Sequence, residues 1–238
     1  MPDHSLTIHE PAAPAAQLIL LCHAAGANAA SLLPLGERLR DTFPLATIVA
    51  LQADAACAPS DSDSPSSGGF EWFTNVGLTE EERPQRVAQA LPGLLAAVRH
   101  WQERSGVSCA ATALIGVAQG AEMVLEASKH YPMVASRVVA MGGRFTTLPA
   151  TLPAVTTTHF LHGKRDLLVH YSYSVNAAHH LRALGGDITA EVLPFVSDAL
   201  HPDLVELVLA KLSTHIAHHL WAAAQEAATG GIEGDAPN

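Results

Sequence analysis

Gly116-Val117-Ala118-Gln119-Gly120 lies where a buried apolar run, 111–117, gives way to an amphipathic stretch beginning at Gln119. Glycines two residues before and two after a central position suit a sharp strand-to-helix turn. The central residue there is strained, and its neighbours must be small for strand and helix to approach. In the pattern G-x-S-x-G the central residue is a nucleophile. Here it is Ala118, which has no lone pair to attack a carbonyl and no proton for a base to remove. Other chemistries are weaker on inspection. Neither G-x-G-x-x-G after a strand nor G-x-x-x-x-G-K-[ST] occurs, so no nucleotide cofactor is expected. His215, His218 and His219 fall within a turn and a half of one helix, and His179-His180 near the end of another. No acidic or cysteine ligand is spaced with them, so they read as surface histidines and no metal site is expected. Cys22, Cys57 and Cys109 form no C-x-x-C pair and read as reduced, buried small residues.

Such a turn needs a sheet to stand on. Short runs rich in Ile, Val, Leu and Thr occur at 17–22, 46–51, 111–117, 137–141, 157–162 and 187–193, as strands buried on both faces require. Helical patterns separate them. The clearest spans Glu81 to Glu103, where Val87, Leu91, Leu94, Leu95, Val98 and Trp101 recur at helical spacing, with Pro92 a candidate kink. Strand, helix, strand in repetition means parallel pairing through right-handed crossovers, hence a doubly wound α/β sheet. The Ser, Pro, Asp and Gly-rich segment from Ala58 to Gly69 follows a strand end and is expected to be a mobile loop at the carboxyl edge, where ligands of such folds bind. The last helix is expected over Pro202 to Trp221.

No linker divides the 238 residues, which suit one α/β domain burying about 70% or more of its unfolded surface; we assign it to 1–221. The stretch 222–238 has one large apolar residue, Ile232, and is expected to be a disordered tail. With 48% hydrophobic and 15% charged residues the chain is not disordered as a whole, and the lack of an 18-residue apolar run argues against a membrane span. A formal net charge of -10 repels a phosphate backbone, so nucleic acid is not an expected partner. Asp3, His4, His9 and Glu10 stand where a secretory signal would be basic and then apolar, which points to the cytoplasm.

The chain resembles the carboxylesterase and phospholipase branch of the α/β-hydrolases, the small serine esterases related to acyl-protein thioesterases, over about residues 5 to 221. The matching pieces are LILLCHAAGAN from Leu18 to Asn28, Trp72-Phe73 with Gly77-Leu78-Thr79-Glu80, ALIGVAQGAEM from Ala113 to Met123, HGKRD from His162 to Asp166, and the stretch from Gly185 to Leu200. The resemblance implies a mainly parallel sheet of about six or seven strands, with nucleophile, acid and histidine in that chain order. Carried over residue by residue, Ala118 takes the nucleophile position and Asp166 the acid position. Gly-His-x-[Ile/Leu] of the family falls on Ser197-Asp198-Ala199-Leu200, so Asp198 takes the base position. A carboxylate, with a free pKa of about 3.9 against about 6.5 for imidazole, is a poor base for a serine hydroxyl. His201 is the alternative base, although His201-Pro202-Asp203 also reads as a plain helix entry. The family's His-Gly-x-Gly-Asp becomes His23-Ala24-Ala25-Gly26-Ala27. The backbone N–H groups of Ala25 and Gln119 are then the candidate oxyanion hole, and His23, Trp72 and Phe73 the candidate substrate-binding residues.

Three accounts of these departures stay open. An engineered Ser-to-Ala change in an active esterase explains Ala118 alone. Natural loss of hydrolysis explains Ala118, Asp198 and the altered oxyanion loop together, and leaves a protein that binds a small acyl or carbonyl ligand, or an interaction protein on the same fold. The third, a different chemistry using residues such as Cys22, His23, Asp198 or His201, has no positive support in the sequence. Oligomeric state is not indicated.

Overall fold

The computed structural model describes residues 4–57, 69–151 and 156–214. Strands β1 (Leu6–His9), β2 (Gln17–Cys22), β3 (Ala46–Leu51), β6 (Thr112–Val117), β7 (Arg137–Met141), β8 (Thr157–Gly163) and β9 (Asp187–Leu193) form one sheet in the order β1-β3-β2-β6-β7-β8-β9. All neighbours are parallel except β1, which runs antiparallel to β3. A two-stranded ribbon, β4 (Ala55–Ala56) with β5 (Phe70–Glu71), stands apart. The expected six parallel strands are present within a residue of their expected bounds, and β1 and the ribbon are additions.

Every residue of β3, β6 and β8 is buried, because helices cover both faces. Helices α2 (Arg83–Ser105), α3 (Gln119–Ser128) and α4 (Ser172–Ala183) pack on one face, burying Val98, Trp101, Met123, Val124 and Leu181 against Leu20, Leu114 and Phe160. Helices α1 (Leu33–Thr42) and α5 (Pro202–Thr214) cover the other, where Leu39, Leu204 and Val208 meet Ile48, Ile115 and Leu161. Helix α2 continues through Pro92, whose exposed position leaves the lost backbone hydrogen bond to water. No helix among the described residues is long and apolar enough to cross a membrane. Most of the expected loop, 58–68, the end of the last expected helix, 215–221, and the tail 222–238 lie outside the described residues.

Candidate functional site

β6 leads directly into α3 through Ala118, whose φ of 49° and ψ of -109° place it in a region L-residues avoid; it is the one non-glycine residue with positive φ among those described. The flanking glycines make this turn sterically feasible. A Cβ on Gly116 would lie 2.3 Å from the Gly120 oxygen, and one on Gly120 would lie 2.3 Å from the Cys22 oxygen. The Ala118 N–H donates to the Met141 oxygen at 2.8 Å, which ties the apex to the end of β7.

Asp166 follows β8 on a turn held to the neighbouring strand end, with the Lys164 and Arg165 N–H groups donating to the Leu193 and Val196 oxygens. Its Oδ1 accepts the Leu168 and Val169 N–H groups at 2.8 and 3.1 Å, and Oδ2 is 3.5 Å from His162 Nε2. A Cβ built on Gly142 would come within 2.9 Å of Asp166 Oδ2 and 3.0 Å of the Ala199 methyl group. Thus Ala118, Asp166 and the 197–201 loop converge on one sheet edge. Within that loop the residue that meets the Asp166 corner is Ala199. Asp198 is exposed, and its Oδ1 accepts the Leu200 N–H at 2.9 Å. His201 Nδ1 accepts the Asp203 N–H at 3.2 Å and lies 3.7 Å from Asp203 Oδ2, so its ring serves the first turn of α5.

The loop after β2 is pinned to β5: the Gly26 N–H donates to the Phe70 oxygen, and the Phe70 N–H to the Ala27 oxygen. Among the described residues neither the Ala25 nor the Gln119 N–H donates a hydrogen bond, which leaves both available to a ligand oxygen. His23 lies behind this loop with no exposed surface. Its Nδ1–H donates to the Ala24 oxygen at 2.7 Å, and its Nε2 accepts the Ala53 N–H at 3.1 Å. Burial moves its pKa below the ordinary imidazole value, so the ring is neutral. Cys22 is likewise fully buried, and burial pushes its thiol pKa far up, which makes it inert as a nucleophile.

Trp72 and Phe73 are buried and are positioned by a contact the sequence did not suggest. The Gln119 side chain clasps both, with Oε1 accepting the Trp72 N–H at 2.8 Å and Nε2 donating to the Phe73 oxygen at 2.7 Å. Trp72 Nε1 donates to the His23 oxygen at 2.8 Å. A second unforeseen group is ionic. Glu122, one turn along α3 from Ala118, is buried and pairs through Oε2 with Arg83 Nη1 at 3.2 Å. Desolvation outweighs that pairing and pushes its carboxyl up to about 7. Its signal in the sequence was a carboxylate inside the apolar run Ala121-Met123-Val124-Leu125.

Two concavities lie away from this edge. One of about 490 Å³ at the amino ends of the strands is lined by Gln17, Thr112, Arg137 and Leu212, among others. The other, about 520 Å³, lies between α1 and α5. Neither includes Ala118 or Asp166, so motif geometry rather than cavity size marks the site. Of the histidines weighed as metal ligands, His180 Nε2 donates to the Pro149 oxygen at 2.8 Å, and His215, His218 and His219 fall outside the described residues.

Known proteins resemble this chain along nearly its whole length. The family described as Phospholipase/Carboxylesterase matches residues 4–220. Esterase YpfH of Escherichia coli (strain K12) is 36% identical over 233 residues, covering 98% of this chain and 96% of that protein. Among solved structures, esterase PE8 superposes with a TM-score of 0.74 at 27% identity over 85% of this chain and 95% of that one. A carboxylesterase from Mesorhizobium loti gives 0.67 at 19% identity, over 84% and 89% respectively, and speaks for the fold alone.

Proposed function

The chain belongs to the phospholipase/carboxylesterase family of α/β-hydrolases, and on that premise we propose that it binds a small acyl or carbonyl compound at the Ala118 elbow without serine-based hydrolysis. The observation that carries this reading is the elbow itself: Ala118 keeps the strained backbone of a nucleophile position and offers a methyl group where attack needs an oxygen. In this reading the Ala25 and Gln119 N–H groups polarise the bound carbonyl, since backbone donors need no particular side chain. Trp72 and Phe73 wall the acyl side, fixed by the Gln119 amide, while His23 stiffens the loop from behind. Asp166 stands at the acid position; Asp198 holds the base position in the motif register but is exposed and bonded to the Leu200 N–H, so no imidazolium faces Asp166. The competing reading, an active esterase carrying a Ser-to-Ala change with His201 as base, needs that imidazole turned toward Asp166; its contacts with Asp203 disfavour it.

Kinetics on the unchanged chain and three variants test the reading. The unchanged chain should turn over short-chain nitrophenyl esters only near background, because losing a triad nucleophile removes about a millionfold of rate. Ala118→Ser alone should recover little. Ala118→Ser with Asp198→His should exceed either single variant by roughly a hundredfold, because triad members act as a unit. Activity from Ala118→Ser alone would replace this reading with the His201-based one. Because Asp198 is exposed, a folded but silent double variant would mean either that the side chain at 198 stays turned from Asp166 or that pocket and oxyanion loop have diverged beyond acyl transfer.

A further inference from the structure

Beside the elbow, two guanidinium groups converge on one water-exposed carboxylate. β7 leaves the sheet through Gly142-Gly143-Arg144, and a Cβ on Gly143 would lie 3.2 Å from the Ala118 oxygen, so Arg144 departs from the wall of the candidate site. Its side chain is 12% exposed and stacks on Tyr173, with Cζ 4.7 Å from the ring centre. Arg83, 18% exposed, enters from the first turn of α2 and reaches Glu122. Both close on Glu80: Arg144 Nη2 donates to each carboxylate oxygen at 2.7 Å, and Arg83 Nε and Nη2 donate to Oε1 at 3.3 and 3.2 Å. Glu80 itself is 64% exposed on the turn before α2.

These burials are unequal, and the inequality decides what can be exchanged. Glu80 can swing into water and keep its solvation, whereas the two half-desolvated guanidinium groups cannot follow it and would be left short of acceptors. The other carboxyl in reach does not balance them: Glu122 Oε1 is buried without a hydrogen-bond partner among the described residues, and its ionisation is suppressed by burial. In a chain of 13 basic and 23 acidic residues, two fixed cations facing one displaceable anion are a local exception to the overall field.

We propose that Arg144 and Arg83 form a carboxylate-binding site beside the Ala118 elbow, which Glu80 fills in the free protein and vacates for a ligand that carries its own carboxylate. The ligand class is then an acyl or carbonyl compound with a second, anionic end. This rests on the reading that the elbow pocket binds such compounds.

Calorimetric titration of the full chain with the monomethyl and dimethyl esters of succinate tests it, since the two share a skeleton and differ in one charge. The monoester should bind roughly tenfold or more tightly than the diester, the scale of a charge-assisted hydrogen bond. Arg144→Gln should abolish that preference. Glu80→Gln, at an exposed position tolerant of change, should tighten monoester binding severalfold by removing the competing carboxylate, with folding checked by circular dichroism. Equal binding of the two esters, or a Glu80→Gln variant that fails to gain affinity for the monoester, would overturn the carboxylate site and leave the pocket reading standing. Absence of binding by either ester would overturn both.

Discussion

Glu122 is the side chain whose environment most contradicts its chemistry. A carboxyl pushed from its ordinary 4.5 up to about 7 holds a proton in the folded chain that the unfolded chain has released. Across roughly pH 4.5 to 7 the native state therefore binds more protons, and stability falls as pH rises through that window, by about 3 kcal/mol at most. Glu122→Gln stays neutral and should lose that slope. Urea unfolding of both chains at pH 5 and pH 8 should show a smaller difference between the two pH values in the variant; parallel slopes would mean that Arg83 keeps the carboxylate ionised. The residue was overlooked in the sequence because a charge within a helical apolar face ordinarily turns to solvent, and only tertiary placement shows that it does not. Gln119 was half legible for the same reason. Its backbone role follows from its place after the elbow, but its side chain reaches residues 46 and 47 positions away in the chain.

At the scale of elements, the strand-to-helix turn was legible because its cause is local and steric. The glycine spacing encodes a clearance between β2 and α3 that any added methyl group would close. Gly120→Ala would push a Cβ to 2.3 Å from the Cys22 oxygen and 2.7 Å from the His23 oxygen, both backbone atoms that cannot move aside. We expect a loss of roughly 2–4 kcal/mol in unfolding free energy, as for other overpacked cores. Gly77→Ala is the control. Gly77 has a φ of 60° and nothing within 4 Å of its would-be Cβ, so only backbone strain of about 1 kcal/mol is at stake. Equal losses at the two positions would show that clearance is not what the elbow glycines supply. The short elements were not legible. β1 has four residues without a clean alternation, and β4 and β5 have two each, too few for a period to register before pairing is known.

For the molecule as a whole, the fold was readable because helices on both faces turn each inner strand into an unbroken apolar run, a signal that survives without knowledge of partners. The carboxyl edge where loops meet was readable only through motifs, since distances between Asp166, Ala199 and Gly142 arise from three separate crossovers. The two margins of the sheet differ in a way that bears on how copies of the protein behave toward each other in solution. β1 closes one side with four residues and an irregular register between Thr7 and His9, which makes a poor template for another chain. β9 presents seven residues and, among the described residues, has a strand partner on one side only. Its guard is charge: Asp187 and Glu191 lie on the strand, and Lys211 Nζ holds Glu191 at 2.8 Å. Glu191→Val would join Ala190 to Val192 and Leu193 in one uninterrupted apolar run along that edge, in a variant whose core is untouched. Light scattering during slow heating should rise at a lower temperature than for the unchanged chain, while the reversible urea midpoint moves little. If scattering onset does not move, something other than Glu191 shields that margin; if it does, one carboxylate on β9 keeps that edge from pairing with a second copy.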